Sequence, residues 1–416
     1  MPEVINLADK VEKQLPAELV GFLRTAGEVA AGQGQSLYLV GGVVRDLLLR
    51  RVNLDLDLVV EGDAIKLALQ LAEITGGKVI THSRFGTAKL RWQGWSVDLA
   101  TARSESYTKP GTLPTVKPGS IDTDLFRRDF TINAMAVELI PGGYGRLLDP
   151  HRGKADLEHQ LIRVLHEKSF IDDATRIWRG LRYEQRLDFQ LETDTLKLLK
   201  RDIPMLETIS GDRIRHELER IFQEEYPEKV LSRAEKLGVL STLHPSLKGD
   251  SWLSEKFRQA RSSSLPLSGL YLALLAYRLT DEENEQLISH LKLSKSLGQT
   301  LRDTNHLKGE LGWLADPALA PSRVYRLLHG YSQSALIANL LASDSPVVQG
   351  HIRLFRDKLR YVKPSLTGND LIKMGVPPGP RMKEILQQLH GARLDGKVKS
   401  KKEEEELVRR WAARGK

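Results

Sequence analysis

The sequence predicts an α+β fold, with an N-terminal α/β head followed by an all-helical remainder. In the first part of the chain, short apolar strand patterns alternate with an amphipathic helix. From Lys154 onward the strand patterns fade and helical periodicity dominates. The length of 416 residues also exceeds the size to which one hydrophobic core usually grows, so several domains are expected.

Five strands and one helix are predicted in the head. The helix, Ala64–Thr75, is followed by a Gly-Gly pair, which suits a helix terminus. The segment Ser104–Asp124 is rich in Pro, Gly and Thr and has no period, which indicates a long loop. The predicted strands are Leu37–Val40, Leu54–Val60, Lys78–Thr81, Ala88–Trp92 and Ser96–Ala100.

Composition narrows the class of protein. The chain has no Cys, which excludes a disulfide framework, a thiolate zinc site and a Cys nucleophile, and fits a reducing cytoplasm. It begins without a basic segment followed by an apolar run, and no stretch approaches the roughly twenty apolar residues of a membrane-spanning helix, so a cytoplasmic protein is expected. The net charge of +8 favours a polyanionic partner such as nucleic acid.

Asp55 and Asp57, in the run NLDLDLVV, are the strongest functional signal in the chain. Residues two apart on a strand point to the same face, so the two carboxylates would lie side by side. Mg²⁺ is usually held by one or two carboxylates together with substrate phosphates. The pair therefore favours a phosphoryl or nucleotidyl transferase with Mg²⁺ as its cofactor, although an alternating Asp pair also occurs on solvated strand faces.

A Gly-Gly pair precedes these carboxylates in the run LVGGVVRD. Gly41 and Gly42 follow an apolar strand and precede an amphipathic helix, so backbone amides there can approach a triphosphate. Arg45, one turn into the helix, can reach phosphate oxygens. Taken alone, the glycine pair indicates only a turn.

The segment LFRRDFTINAMAVEL carries charged residues on an apolar stretch. On a helix, Asp129 and Asn133 are four residues apart and share a face. Arg127 and Arg128 can then reach phosphates or a ribose hydroxyl. A surface ion pair is the alternative, and it is less favoured because charges at the edge of a core need a partner.

A second charged helix is predicted over Phe170–Phe189. Its arginines recur every three residues and lie beside Asp173. An Asp carboxylate accepts from an exocyclic amine and a guanidinium donates to a ring acceptor, so such a pair can accept cytosine or adenine and reject uracil or guanine. An exposed salt bridge is the alternative. The arginines are Arg176, Arg179 and Arg182, and the residues that would face a core are Ile177, Trp178, Leu181 and Phe189.

Taken in order, LVGGVVRD, DLD, RRDFTINA and DDATRIWRGLR resemble the motifs of the class II tRNA nucleotidyltransferases, the CCA-adding enzymes, and of bacterial poly(A) polymerases. The segment Ser365–Leu407 is similar to the C-terminal segment of that family. The resemblance implies a nucleotidyltransferase-type head with a mixed sheet over residues 1–150. It also implies a helical neck with the base-selecting helix over 151–220, a helical body over 221–345 and a basic, tRNA-binding helical tail over 346–416.

The resemblance assigns roles to the motif residues. Asp55 and Asp57 would be catalytic and hold Mg²⁺, and Asp173 with Arg176 would pair with the incoming base. The chain departs from the family at Asp172, where Glu is usual, and near Arg50, where Gly is usual; neither departure removes a ligand. The other implied nucleotide-binding residues are Gly41, Gly42, Arg45, Arg127, Arg128, Asp129, Asn133, Arg179 and Arg182.

The implied reaction is template-free addition of C and A to the tRNA 3′ end from CTP and ATP. The complete CCA reaction is favoured because the predicted loop is long and no further segment is appended. A CC-only enzyme, an A-only enzyme, a poly(A) polymerase and a non-catalytic RNA-binding protein remain as alternatives. A phosphohydrolase is disfavoured because the helical half has no adjacent His-Asp pair. Asp98 is either a third metal carboxylate or a polar strand residue.

Two further expectations concern the loop and the tail. The family resemblance implies that the loop Ser104–Asp124 moves between C and A addition, with Lys109 and Lys117 near the active site. The tail cations are expected at the tRNA elbow, although the acidic run Glu403–Glu406 could equally pair with them on a solvated helix. These cations are Lys397, Lys399, Lys401, Lys402, Arg409, Arg410 and Arg414.

Overall fold

A computed structural model of the chain describes residues 5–106, 109, 111–112, 114–262 and 267–414. It divides into two compact units, Met1–Thr242 and Leu243–Lys416. The first unit contains the α/β head and the helices that follow it, and the second is helical, which confirms the predicted fold class. The finer division into neck, body and tail stays a prediction. Among the helices in the described ranges, none combines the length and the apolar character that a membrane span requires.

All five strands predicted in the head are present, with small shifts at their ends. The strands are β1 (Ser36–Val40), β2 (Leu56–Glu61), β3 (Lys78–His82), β4 (Thr87–Trp92), β5 (Trp95–Thr101), β6 (Arg103–Ser106), β7 (Thr115–Pro118), β8 (Ala136–Glu138), β9 (Leu147–Leu148), β10 (Leu161–Ile162) and β11 (Gln190–Leu191). Within the described residues, one seven-stranded sheet has the order β3-β4-β5-β2-β1-β8-β9. Because β2 and β5 are parallel and the other neighbours are antiparallel, the sheet is mixed, as expected.

The first unit also contains helices. Those before the first strand and between the strands of the sheet are α1 (Ala8–Gln14), α2 (Ala17–Gly32), α3 (Gly42–Leu48), α4 (Ala64–Thr75) and α5 (Ile121–Phe126). After the sheet they are α6 (Gly153–Glu158), α7 (Ser169–Asp172), α8 (Thr175–Leu187), α9 (Thr193–Asp202), α10 (Gly211–Ile221) and α11 (Pro227–Lys236).

The two faces of the sheet are covered differently. Strand alternation places Leu39, Leu58 and Leu90 on the back face, where α2 and α4 pack. On that face Phe22 of α2 stacks on Trp92, with 4.3 Å between ring centroids. On the front face a buried cluster covers the part of the sheet formed by β1, β2 and β8. Its members are Tyr38, Val40, Val59, Ala102, Ile121, Leu125, Ala134 and Ala136.

The segment between β5 and β8 departs from both predictions made for it. The strands β6 and β7 pair as an antiparallel hairpin inside the predicted loop, whose residues 107–108, 110 and 113 lie outside the described part of the chain. The helical conformation considered for Asp129 and Asn133 is wrong, because the chain makes a 3₁₀ turn at Thr131–Asn133 and then continues into β8. Pairing of β8 with β1 satisfies the backbone of this buried run, and so short a run fits a strand as well as a helix.

The helix predicted over Phe170–Phe189 is broken at Asp173, which has an extended conformation between α7 and α8. Oδ1 of Asp173 accepts hydrogen bonds from the backbone N–H and the hydroxyl of Thr175, at 3.0 and 2.6 Å. This local side-chain turn competes with a continuous helix. The predicted core residues Ile177, Trp178, Leu181 and Phe189 are all buried.

The second unit consists of helices within the ranges that are described. They are α12 (Ser251–Ala260), α13 (Leu267–Leu275), α14 (Asp281–His290), α15 (Lys295–Glu310), α16 (Pro321–Leu328), α17 (Gln333–Ala342), α18 (Pro346–Asp357), α19 (Gly368–Lys373), α20 (Pro380–Leu394) and α21 (Lys401–Arg414). One core forms around Leu336 and Phe355. A separate, smaller core around Leu371 and Leu389 holds the last three helices together.

Candidate active site

Asp55, Asp57 and Asp98 form a carboxylate edge on the front face of the sheet. Asp57 pairs in register with Val40 of β1 on one side and with Asp98 of β5 on the other, so these side chains point to one face. Asp55 precedes β2 by one residue and is two residues from Asp57. The structure therefore brings the two predicted metal carboxylates together, with Asp98 beside them.

The pKa of Asp57 is raised to about 6. The main cause is the partial removal of its carboxylate from water, and repulsion from Asp55 and Asp98 adds to it. Arg128 and Lys89 act in the opposite direction and favour the charged form. A bound cation would relieve the repulsion between these carboxylates, so the edge has the electrostatic character of a cation site.

Asp98 has a partner of its own on the neighbouring strand. Nζ of Lys89 lies 2.9 Å from Oδ2 of Asp98, and the two residues are also paired in register between β4 and β5. Roughly a third to two-fifths of each side chain is exposed, 35% for Lys89 and 42% for Asp98. Lys89 therefore neutralises Asp98 through Oδ2, and a cation that binds this oxygen would compete with Lys89.

The turn after β1 places its backbone against the carboxylate edge. Gly41 has φ 75° and ψ −134°, a left-handed conformation that glycine adopts without strain. A Cβ at Gly41 would lie 2.8 Å from Nη1 of Arg128 and 3.9 Å from Oδ2 of Asp57, so glycine is what allows the close approach of these groups. At Gly42 a Cβ would lie 3.6 Å from Nη2 of Arg45.

Arg45 is buried, and its guanidinium already has protein partners. Nε and Nη2 donate to the two oxygens of Asp46 at 2.9 and 2.8 Å, and Nη1 donates to Oδ1 of Asn133 at 2.7 Å. Burial disfavours the charge on Arg45, but Asp46 outweighs that effect and raises the pKa of Arg45. A phosphate bound here would use the N–H groups of Arg45 that these three bonds leave over.

Arg127 and Arg128 share the buried carboxylate of Asp124. Nη2 of Arg127 donates to Oδ1 at 2.6 Å and Nη2 of Arg128 donates to Oδ2 at 3.0 Å. Burial opposes ionisation of Asp124, but the two guanidinium groups outweigh it and lower the pKa of Asp124. Arg127 also donates to Glu105 of β6 at 3.0 Å. Nε of Arg128 is buried and has no hydrogen-bond partner among the described residues, whereas Nη1 lies beside Gly41, where it can donate to an anionic ligand.

Asp129 and Asn133 contact each other as predicted, but through a turn and not along a helix. Nδ2 of Asn133 donates to Oδ1 of Asp129 at 3.0 Å, and the same oxygen accepts from the N–H of Phe130 at 2.9 Å. Because Asn133 also accepts from Arg45, it connects the glycine turn to Asp129.

Asp173, Arg176, Arg179 and Arg213 form an arginine cluster beside this network. Nη2 of Arg213, from α10, donates to Oδ1 of Asp173 at 2.8 Å. Arg176 does not pair with Asp173 and instead donates to the carbonyls of Ser169 and Arg127, at 3.3 and 2.6 Å. The salt bridge considered for Asp173 and Arg176 is therefore absent from this region, because the break at Asp173 removes the helical spacing.

The other two arginines of α8 pair with acidic residues. Nε of Arg179 donates to Glu217 at 2.9 Å, and Nη1 of Arg182 donates to Glu224 at 3.1 Å. Burial disfavours the charge on Arg179, but Glu217 and Asp129 outweigh it and raise the pKa of Arg179. The basic stripe predicted on this helix is thus largely neutralised by protein carboxylates.

Two cavities share Arg127 and Arg128 as part of their walls. One, of about 560 Å³, contains Asp57 and Asp98. The other, of about 380 Å³, is bounded by the arginine cluster and Asp129. Six of the eleven predicted nucleotide-binding residues line this second cavity: Arg127, Arg128, Asp129, Asp173, Arg176 and Arg179. The other five, Gly41, Gly42, Arg45, Asn133 and Arg182, line neither cavity.

The tail residues lie in the second unit. Lys397 lies 3.4 Å from Asp395 and Lys401 lies 3.2 Å from Asp370, in ion pairs. The expectation of a solvated acidic run is wrong at Glu404, which is buried and accepts from the backbone N–H groups of residues 365 and 366. The side chain of Arg414 lies outside the described part of the chain. The exposed tail cations are Lys397, Lys399, Lys401, Lys402, Arg409 and Arg410.

The carboxylates at the edge fit a divalent cation whose other ligands are oxygens of the substrate. Within the described ranges, no three His, Asp or Glu side chains form a ready-made metal site. Mg²⁺ needs only one or two carboxylates when phosphates supply other ligands. Asp55 and Asp57 meet that requirement.

Four residues of this region were not among the sequence predictions: Lys89, Glu105, Asp124 and Arg213. Asp124 had a local signal, because it precedes Arg127 and Arg128 by three and four residues, the spacing of helix neighbours. No local sequence pattern identifies Arg213, because it contacts Asp173, which lies 40 residues away in the sequence. Lys89 and Glu105 are likewise defined by strand pairing and tertiary contact.

The chain matches the sequence models of two protein families. It matches the Poly A polymerase head domain over residues 37–163 and the Probable RNA and SrmB-binding site of polymerase A over residues 188–250.

Three relatives are similar over almost the whole chain. The A-adding tRNA nucleotidyltransferase of Halalkalibacterium halodurans is 34% identical over 98% of this chain and 96% of its own length. The A-adding enzyme of Geobacter sulfurreducens is also 34% identical over 99% of this chain, but this chain spans only 48% of that relative. The CC-adding tRNA nucleotidyltransferase of Deinococcus radiodurans is 31% identical over 92% and 91% of the two chains.

Solved structures agree with the fold. A CCA-adding enzyme in an apo form superposes with a TM-score of 0.84 at 31% identity, covering 98% of this chain and 99% of the other. The Thermotoga maritima CCA-adding enzyme complexed with tRNA superposes with a TM-score of 0.78 at 31% identity and the same coverage.

Proposed function

The chain belongs to the tRNA nucleotidyltransferase family, and we propose that it transfers nucleotides from ATP, CTP or both to the 3′ end of tRNA. The proposed reaction needs no nucleic-acid template, depends on Mg²⁺ and releases pyrophosphate. The observation that carries the proposal is the position of Asp57, which lines the 560 Å³ cavity and lies beside Gly41 together with Arg128. Nucleotidyl transfer needs a cation-binding carboxylate and a triphosphate-binding turn at one place.

In this reaction the 3′-hydroxyl oxygen of tRNA attacks the α-phosphorus of the nucleotide. The new bond joins these two atoms, the bond from the α-phosphorus to the bridging oxygen breaks and releases pyrophosphate, and the hydroxyl proton passes to solvent. Gly42 offers its backbone N–H group to the triphosphate, whereas the N–H group of Gly41 is already donated to the carbonyl of Met135 at 3.3 Å. Nη1 of Arg128, which lies beside Gly41, donates to the same phosphates. Asn133 and Asp46 hold Arg45 so that its remaining N–H groups face the same phosphates.

Asp55 and Asp57 would hold Mg²⁺ in this scheme. When bound, the ion supplies positive charge that neutralises the triphosphate and the departing pyrophosphate. The two carboxylates keep this charge on the nucleotide side of the sheet, next to the glycine turn. Asp98 could serve as a further ligand, in which case a cation at Oδ2 would compete with Lys89.

The arginine cluster selects the base in this proposal. Asp173 can accept from the exocyclic amine of cytosine or adenine, and Arg176 can donate to the neighbouring ring acceptor. Both side chains already have partners, so base binding exchanges protein hydrogen bonds for bonds to the nucleotide. A base with the wrong pattern leaves these partly buried charged groups unpaired, which is costly and supports discrimination.

An A-adding enzyme is the second candidate. It is supported by two relatives named A-adding that are each 34% identical to this chain. If the chain is the complete enzyme, the β6–β7 hairpin is the segment proposed to move between C and A addition, since Glu105 connects it to Arg127 at the nucleotide cavity. Shortening this hairpin should then change A addition more than C addition.

The exposed cations of the tail are proposed to contact tRNA. Lysine and arginine contacts to phosphates supply affinity that does not depend on sequence. The cations concerned are Lys397, Lys399, Lys401, Lys402, Arg409 and Arg410. A cytoplasmic location, where tRNA ends are matured, belongs to the same proposal.

The deciding experiment measures product length and composition with three tRNA transcripts, which end before CCA, after CC and after CCA. Each is incubated with Mg²⁺ and with CTP, ATP or both, and the Asp57→Asn variant serves as the inactive control. Growth of the first transcript to CCA followed by arrest establishes the complete enzyme. Extension only after CC assigns the A-adding enzyme, C-only extension the CC-adding enzyme and a long A tail a poly(A) polymerase. No extension of any transcript, with tRNA still bound, would leave a non-catalytic RNA-binding protein.

A further inference from the structure

The front face of the sheet is half covered. The cluster around Val40, Val59 and Leu125 packs over β1, β2 and β8. Over β5, β4 and β3 the corresponding side chains border the 560 Å³ cavity instead. The uncovered half therefore begins at the carboxylate edge and continues away from the glycine turn.

The side chains on this uncovered half differ from those of an ordinary solvated face. Strand pairing places Asp98, Lys89 and Ile80 side by side across β5, β4 and β3. Arg91 and His82, two residues along their strands, border the same cavity. Ile80 is 47% exposed, so an apolar surface lies next to cations. Cations beside an apolar patch suit a nucleotide, which presents a phosphate, a sugar and a base together.

The in-line geometry of the proposed reaction indicates which substrate would lie on the uncovered half of the sheet. In an in-line displacement the attacking oxygen and the leaving oxygen lie on opposite sides of the phosphorus. The triphosphate binds at Gly41 and Gly42, at the end of β1, and the carboxylates of Asp55 and Asp57 follow on β2. The attacking hydroxyl must then approach from beyond β2, which is the side of β5 and β4.

We propose that the uncovered face over β5, β4 and β3 holds the 3′-terminal nucleotide of the RNA, and that Lys89 exchanges its ion pair with Asp98 for a phosphate of that nucleotide. This inference rests on the proposed function and deepens it, because it places the acceptor end. In the present arrangement Lys89 neutralises Asp98. When RNA and a cation arrive together, the cation takes over the carboxylate and the freed ammonium group neutralises the incoming phosphate. Ile80 then packs against the sugar or base.

The first test separates RNA binding from nucleotide binding. Lys89→Met should raise the KM for a tRNA transcript by about tenfold and leave the KM for ATP and CTP unchanged. The dependence of log KM on log salt concentration should lose about one unit of slope, because one phosphate contact is removed. Lys89→Arg keeps the charge and should restore most of the affinity. Lys66→Met, on the exposed side of α4 at the back of the sheet, is the matched control. An unchanged KM for RNA in Lys89→Met would overturn the proposal.

The second test needs no turnover. A photo-crosslinking amino acid is placed at Ile80, and in a matched variant at exposed Ile74 on α4. The probe is a tRNA transcript labelled at its 3′-terminal nucleotide. Crosslinks from position 80 to that nucleotide, and none from position 74, support the site. Crosslinks only to the body of the tRNA contradict it.

The two tests also separate this inference from the proposed function. If the unmodified protein extends no transcript but position 80 still crosslinks to the 3′ end, the proposed function fails and the RNA-end site stands. If the protein extends transcripts normally while Lys89→Met and the crosslinks show no effect at this face, the proposed function stands and the site is wrong.

Discussion

The carboxylate edge and the arginine cluster lie in the same unit but satisfy their charges in opposite ways. Among the described residues, no lysine or arginine forms an ion pair with Asp57, whose pKa is raised to about 6. Asp173, by contrast, is bonded to Arg213, and Arg179 to Glu217. The edge is therefore arranged to gain a cation, whereas the cluster must give up existing bonds before it can hold a base. The carboxylate edge is therefore expected to supply affinity for a cation, and the arginine cluster to supply selectivity for the base.

The largest effect should come from removing charge at the carboxylate edge. Asp57→Asn is expected to lower the rate of nucleotide addition by about a thousandfold, equivalent to ~4 kcal/mol of transition-state stabilisation, because the amide is a poor ligand for Mg²⁺. Single-turnover addition of a labelled nucleotide to a tRNA transcript measures it. Asp9→Asn is the control, since Asp9 is 84% exposed and, within the described part of the chain, its ion pair is with Lys13. Near-normal addition by Asp57→Asn would remove this residue from the proposed metal site.

Selectivity should respond most to the arginine cluster. Asp173→Asn keeps an acceptor oxygen but adds an N–H₂ group that can donate to uracil. The ratio of kcat/KM for CTP and ATP over UTP and GTP should fall by about 10- to 100-fold, as expected for a loss of 1–3 kcal/mol of discrimination. Asp188→Asn, exposed at the other end of α8, is the matched control. If Asp173→Asn slows all four nucleotides equally, the cluster positions substrate without reading the base.

The pH dependence should distinguish the edge from the cluster. Protonated Asp57 cannot hold Mg²⁺, so at subsaturating Mg²⁺ the rate should fall about tenfold per pH unit below about pH 6. Raising the Mg²⁺ concentration should move this midpoint to lower pH, because the ion competes with the proton. pH–rate profiles at two Mg²⁺ concentrations measure this shift. A midpoint that does not change with the Mg²⁺ concentration would assign the titration to another group.

The stability of the metal-free protein should fall as the pH rises, whereas the rate of nucleotide addition should rise. The folded pKa of Asp57 is raised above its ordinary value of 3.8, so its contribution to the free energy of unfolding is fully present below that pH. It is lost as the pH rises through about 6. Denaturant unfolding of the metal-free protein across this range checks the sign, with Asp57→Asn as the variant that should lack the dependence.

What the sequence predicted well was local. The strands β1 to β5 follow from short apolar runs and alternating apolar residues, and the placement of Asp55 and Asp57 side by side follows from the strand period. The errors arose where distant segments decide the structure. Glu138 lies in β8 because it pairs with Tyr38, a hundred positions earlier. Asp173 accepts a hydrogen bond from Arg213, which lies on another helix. Residues that act through such pairings leave no period or spacing in the sequence, so only the fold reveals them.

Arg182 offers the smallest expected effect on catalysis and the sharpest contrast within α8. Its charge is buried against Glu224, and it does not line the nucleotide cavity that Arg179 borders. Arg182→Met leaves the partly buried Glu224 with the longer contact to Arg186 at 3.9 Å, so the free energy of unfolding should fall by about 2 kcal/mol while base selectivity changes by less than about twofold. Adding Glu224→Gln should recover part of that stability. Arg179→Met is the matched variant and should raise the KM for ATP and CTP. A rise in nucleotide KM with unchanged stability in Arg182→Met would instead support the nucleotide-pocket role that the family resemblance implies for this arginine.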